Sequence, residues 1–347
     1  MKRHLKLAAV QAAPVFLDRT ATVAKAIALM ERAAEGGADL IGFPETWIPG
    51  YPWWIWLGPP HWGTQFAARY RRNAVRRSGP EMQVLSDAAR RFGMVAVFGY
   101  AELDGGSLYM GQTIVDSDGT VKLHRRKLKP SRAERMVFGE GDGSGLTVVD
   151  TSAGRVGALN CWEHLQSLSK FALASQNEEI HVASWPALSM ARGRAHAPGP
   201  EMSAAISQVY GLENGCFVVA PTAVMDEATL ALVADTDERR AMVSVTGLPA
   251  SGGFAMVYGP DGRALAAAIP ESEEGVIVVE VDCDALAAAK LGADPAGHSG
   301  RPDVTRLLID RRPLSSVIET RSPLEADLAP GRDSEQPPEQ LPGPTPR

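Results

Sequence analysis

The apolar positions of this 347-residue chain fall into short runs separated by stretches with helical periodicity. Residues 5–10 read as a buried strand, ended by Gln11-Ala-Ala-Pro14. Val23, Ile27, Met30 and Ala33 or Ala34 then recur at helical spacing until Gly36-Gly37, with Thr20 or Thr22 as the expected cap. Residues 39–43 form a second buried run, closed by Pro44-Glu45. This strand–helix–strand opening predicts a layered α/β sheet. Further strands are expected over 94–100, 107–115, 120–124, 146–149, 156–159, 179–183, 217–220 and 275–281. Asp118-Gly119 and Asp261-Gly262 mark hairpins, the second between strands at 254–258 and 263–267. Helices are expected over 67–74, 81–91, 165–173 and 201–213, and one capped by Asp282 through Lys290; 226–237 reads as helical or irregular.

Composition narrows the class. The chain is 45% hydrophobic with a net charge of −6, ordinary for a globular protein and wrong for a nucleic-acid surface. Nothing approaches about 18 consecutive apolar residues, so no membrane span or signal peptide is expected. Cys161, Cys216 and Cys283, an odd number in a long chain, fit a reducing, cytoplasmic setting better than a disulfide scaffold. The cysteines are far apart and the histidines lack ligand spacing, so no metal is expected. The glycine-rich stretch 138–145 lacks the Gly-Lys-Ser/Thr ending of a phosphate loop, which argues against nucleotide binding.

Three segments carry candidate chemistry. The apolar run 156–159 stops at Asn160-Cys161-Trp162-Glu163-His164, which sets a thiol at the carboxyl end of a strand, where α/β proteins place reacting groups. A cysteine there is most often a packing residue, and a reactive one needs a base or a positive field. Glu45, ending its own strand, can act as a general base. In His124-Arg-Arg-Lys127-Leu-Lys129-Pro130, strand alternation sends Lys127 and Lys129 to one side, so one ammonium can enter a cleft. After Glu45 come five tryptophans, Trp47, Trp53, Trp54, Trp56 and Trp62, which read either as a hydrophobic plug or interface or as one wall of an apolar pocket.

Phe43-Pro-Glu45-Thr-Trp-Ile-Pro-Gly-Tyr-Pro52, Arg126-Lys127-Leu-Lys-Pro130 and Asn160-Cys161-Trp-Glu-His164 together resemble the signature segments of the nitrilase branch of the carbon–nitrogen hydrolases. The resemblance spans about 5–308. It implies a four-layer αββα sandwich over 1–312, with 313–347 as an extension whose proline-rich and acidic composition reads as disordered from about 322. It also implies no cofactor, a small nitrile substrate, and a homodimer paired through a helical face that extends into larger oligomers or filaments. By motif, Glu45 is the general base, Lys127 the charge-stabilising ammonium, Cys161 the nucleophile and Glu134 a second carboxylate that orients the others. Lys129 stands where the amidase branches carry histidine, which favours a nitrilase over an amidase. The Trp162 N–H is expected to assist Lys127. Tyr51, Trp53, Trp54, Trp56 and Trp185 are expected around a flat apolar substrate, and the segment 165–171 is similar to arylacetonitrilases. An amidase or cyanide-hydrating relative, and a non-catalytic assembly protein, are the competing readings.

Overall fold

The structure is a computed structural model, and it describes residues 3–188, 196–243 and 252–314. Among these the chain runs β1 (His4–Ala12), α1 (Arg19–Glu35), β2 (Leu40–Gly42), α2 (Trp54–Leu57), α3 (Pro60–Asn73), α4 (Pro80–Phe92), β3 (Val95–Asp104), β4 (Ser107–Val115), β5 (Val121–Arg126) and β6 (Phe138–Gly139). It continues with β7 (Val149–Thr151), β8 (Gly154–Asn160), α5 (Ser167–Ala174), β9 (Ile180–Ser184), α6 (Pro200–Asn214), β10 (Phe217–Ala220), β11 (Thr222–Ala223), α7 (Glu227–Val233), α8 (Asp237–Val243), β12 (Met256–Tyr258), β13 (Gly275–Asp282) and α9 (Asp284–Gly292).

The strands make two sheets. One has the order β11-β1-β2-β3-β4-β5, with β13 also on β1 and β6 on β4; the other runs β12-β10-β9-β8-β7. Side chains on β1 and β3 alternate between two cores, as a pleated strand buried on both faces requires. Leu5, Leu7, Ala9, Val95 and Val97 meet Val156, Ile180, Val182 and Val219 of the second sheet. Ala8, Val10, Ala96 and Phe98 meet Ala26, Met30, Leu85 and Ala89 of α1 and α4. On its far face the second sheet carries α5 and α6, which contribute Leu173 and Tyr210. The layers are therefore helix, sheet, sheet, helix, as the resemblance implies.

Several local expectations change. Asp18, not Thr20 or Thr22, caps α1, its side chain accepting from the Ala21 N–H at 2.9 Å. Thr22 is buried, and its hydroxyl bonds the Val15 carbonyl instead. The strand expected over 146–149 starts only at Val149, as β7 (Val149–Thr151), and the 263–267 strand reduces to a single bridge, Tyr258 to Ala264. The region after Asp226 resolves into α7 and α8. By contacts the chain divides after Pro313, into Met1–Pro313 and Leu314–Arg347. The disorder expected from about 322 lies outside the described residues. Among the described residues no helix is long and apolar enough to cross a membrane.

Candidate active site

Three strand ends deliver the reactive groups. Just past β2 the chain crosses against β3, where a Cβ on Gly99 would stand 2.1 Å from the Pro44 carbonyl oxygen; only a glycine admits this passage. Glu45 follows, fully buried. Past β5 the Lys127 N–H still bonds the Met110 carbonyl at 2.8 Å, and the chain then turns. That turn separates the two lysines that alternation left together. Lys127 is buried, whereas Lys129 is exposed and pairs with Glu140. Cys161 opens a 3-10 turn (Cys161–Leu165) after β8, in left-handed backbone with φ of 46°. Such backbone is uncommon for a residue with a Cβ and recurs at functional sites.

These groups converge. Lys127 Nζ donates to Glu45 Oε1 at 2.8 Å and to Glu134 Oε2 at 2.8 Å. Glu134 sits on the 3-10 turn Arg132–Met136, where its Oε2 also accepts the Ser131 N–H at 2.5 Å. Its Oε1 accepts from the Tyr51 hydroxyl at 2.9 Å, and Tyr51 in turn accepts from Trp56 Nε1 at 3.2 Å. Glu45 Oε2 is buried without a hydrogen-bond partner among the described residues, so a lone pair is free to take a proton.

Burial and the nearby Glu134 push the Glu45 carboxyl up to about 8, against the pull of Lys127. Burial alone would push the Lys127 ammonium down, but Glu134, Glu45 and Cys161 together hold it well above the usual lysine range. Burial raises the Cys161 thiol well above its ordinary value; Glu45 adds to this, while Lys127 and a hydrogen bond from the Trp162 N–H oppose it. The resting nucleophile is thus a thiol, and Glu45 receives its proton when ionised, the form that the Lys127 ammonium favours.

A second set of buried charges, which sequence reasoning missed, fixes the nucleophile's turn. Glu163 Oε2 accepts the Asn160 N–H at 2.8 Å, while Oε1 accepts from Arg125 Nη2 at 2.6 Å and from the Leu128 N–H at 2.8 Å. One carboxylate therefore ties the Cys161 turn to the segment that carries Lys127. Arg125 also donates to Gln112 Oε1 at 2.5 Å. The available signal was strand alternation, which puts Arg125 on the same side as Lys127.

Cys161 and Glu134 lie on a cavity of about 190 Å³ whose apolar lining includes Tyr51, Trp53, Trp56, Trp162, Pro186, Ala187, Leu188 and Pro198. Ser131 and Arg132 add polar atoms to it, and Arg132 stacks its guanidinium over Trp162 at 4.8 Å. Two expected wall residues are elsewhere. Trp54 packs on Phe66 and Tyr70, with ring centroids 5.2 and 4.9 Å away. Trp185 is buried against His164 and donates to Ser207 Oγ at 3.0 Å. Both are core side chains, because the helices that cover them close over their faces.

The carbon–nitrogen hydrolase family model matches residues 6–291. A nitrilase of Pseudomonas syringae pv. syringae is 49% identical over 92% of this chain and 94% of its own. An aliphatic nitrilase of Rhodococcus rhodochrous is 43% identical, covering 95% and 84%. An arylacetone-specific nitrilase of Alcaligenes faecalis is 42% identical, covering 93% and 91%. Among solved structures, a carbon–nitrogen hydrolase from Helicobacter pylori shares the fold with a TM-score of 0.67 at 18% identity, covering 86% of this chain and 96% of its own. The chain belongs to the carbon–nitrogen hydrolase family, within its nitrilase branch.

Proposed function

We propose that this nitrilase hydrolyses arylacetonitriles, and aliphatic nitriles next, to carboxylic acid and ammonia through intermediates on Cys161. The observation that most supports the chemistry is the Lys127 ammonium gripped between Glu45 and Glu134, beside a thiol on an aromatic cavity. Cys161 Sγ gives its proton to Glu45 and attacks the nitrile carbon. Lys127 and the Trp162 N–H meet the charge that develops on nitrogen. Glu45 passes the thiol's proton to that nitrogen, giving the thioimidate. Ionised again, it deprotonates the water that adds and returns the proton to the nitrogen, which leaves as ammonia. A second water releases the acid and restores the thiol. Tyr51, Trp53, Trp56 and Trp162 favour a flat apolar group in the cavity.

The exposed leucines Leu165 and Leu168 near α5, with Val209 and Leu212 on α6, support pairing of two copies through this helical face and growth into larger assemblies. Three free, buried cysteines fit a cytoplasmic setting.

The test is incubation with phenylacetonitrile, measuring ammonia, acid and amide together, with Cys161→Ala in parallel. Ammonia and phenylacetic acid in equal amounts, abolished by the substitution, are expected. Amide without ammonia would make the enzyme a nitrile hydratase in outcome, and turnover surviving the substitution would remove Cys161 as nucleophile.

A further inference from the structure

Behind the nucleophile runs a line of buried polar groups that the reaction above does not use. The Cys161 carbonyl oxygen lies 2.6 Å from His164 Nδ1, and His164 Nε2 lies 2.8 Å from His181 Nε2. His181 Nδ1 is 2.7 Å from Glu178 Oε1, and the Tyr210 hydroxyl donates to Glu178 Oε2 at 2.6 Å. All four side chains are buried, His181 stacks on Tyr210, and none of them lines the cavity.

Proton accounting orients this line. A carbonyl oxygen only accepts, so His164 Nδ1 carries the proton. A neutral His164 then accepts at Nε2, which requires N–H at His181 Nε2 and leaves His181 Nδ1 as an acceptor. Glu178 must therefore donate, as a carboxylic acid. Moving a proton along the line would create a cation and a carboxylate inside the core. Burial pushes both histidines well below their ordinary value and Glu178 up to about 8. The other titratable groups acting on Glu178 are Tyr210 of α6 and Lys290 of α9, whose ammonium bonds the Asn214 carbonyl, while Glu178 in turn acts on Cys216 between α6 and β10. On β8, a Cβ at Gly157 would stand 2.0 Å from Glu178 Oε1, so the strand leaves a space that the acid fills.

We propose that Glu178, as a neutral acid, locks His181 and His164 into single tautomers, so that His164 always donates to the Cys161 carbonyl and polarises the Cys161–Trp162 amide whose N–H faces Sγ. These are positioning residues: they act through that amide and touch no substrate. A donor on the carbonyl makes the N–H of the same amide a stronger donor, as in any polarised hydrogen-bond chain.

The kinetic consequence rests on the nitrilase reading; the proton arrangement does not. The first measurement is the infrared difference between wild type and Glu178→Gln at pH 7. A protonated-carboxyl C=O band that fades as pH rises past about 8 is expected. Its absence would overturn the proposal whatever the enzyme turns over. The second is the rescue series. Glu178→Leu should lower kcat about tenfold with KM unchanged. Glu178→Gln, whose amide donates to His181 and accepts from Tyr210, should restore most of the loss. Gln behaving like Leu would mean that a carboxylate is required and would also overturn it. If no nitrile is turned over, the rate of Cys161 alkylation by iodoacetamide, corrected with Cys161→Ala, reads the same series. Failure of the reaction and failure of the chain are thus separate results.

Discussion

Glu45 and Glu178 are both enclosed by protein, and burial pushes each carboxyl to about 8, yet their neighbours are opposites. Glu45 shares the Lys127 ammonium with Glu134 and stands beside a thiol, so it works among charges. Glu178 bonds only a phenol and a neutral imidazole, and the Lys290 charge acts on it without a direct bond, so its proton does not have to leave. The contrast teaches that a raised carboxyl is not itself a sign of acid–base work. What separates the two is whether an unpartnered oxygen is left free, as at Glu45 Oε2, or every oxygen is already in use, as at Glu178.

Substitutions can break that contrast at either end. Cys161→Ala should lower ammonia release by on the order of 10⁵-fold, with the fold intact by circular dichroism. Lys127→Met should abolish turnover and also cost about 3–5 kcal/mol of stability in urea melts, because it leaves two buried carboxylates without their shared cation. Trp54→Ala should cost about 3–5 kcal/mol through the cavity it opens against Phe66 and Tyr70. Trp53→Ala should instead act chiefly on KM for phenylacetonitrile, and equal KM effects from the two would contradict their separation into core and wall.

The remaining effect is in pH. A carboxyl whose folded pKa is raised from 4.5 to about 8 keeps its proton when the unfolded chain has lost it. Its contribution to stability is complete below pH 4.5 and is lost as pH rises through about 8. The stability of wild type relative to Glu178→Gln should therefore be flat below 4.5 and fall by up to about 1.4 kcal/mol per pH unit between 4.5 and 8. A difference that stays level over this range would mean that Glu178 is ionised throughout.

Much of the fold was legible because burial on both faces leaves continuous apolar runs, and because glycine pairs and Asp-Gly steps punctuate them. The segments bearing Glu45 and Cys161 were legible for the same reason, since each follows directly on such a run, whereas Lys127 follows a basic stretch and was legible through strand alternation. Periodicity could not choose between Lys127 and Lys129, since the decision lies in a turn that ends the alternation. Nor could it sort Trp53 from Trp54, which are adjacent and equally apolar but face a cavity and a core. Glu178 and His181 were hidden differently. Their partners come from β8's turn and α6, and a polar residue within a buried run declares only that some partner exists.

The hydrogen bonds from Trp56 to Tyr51 to Glu134 have a consequence for anyone who reshapes the pocket. The side chains that would be trimmed to admit a bulkier nitrile are the ones that hold the carboxylate on Lys127. Breadth of substrate and speed of reaction are therefore not independent dials here. A library that varies Tyr51 or Trp56 will select both at once, whereas one confined to Leu188 and Pro198 can change what enters while leaving the ammonium's grip alone.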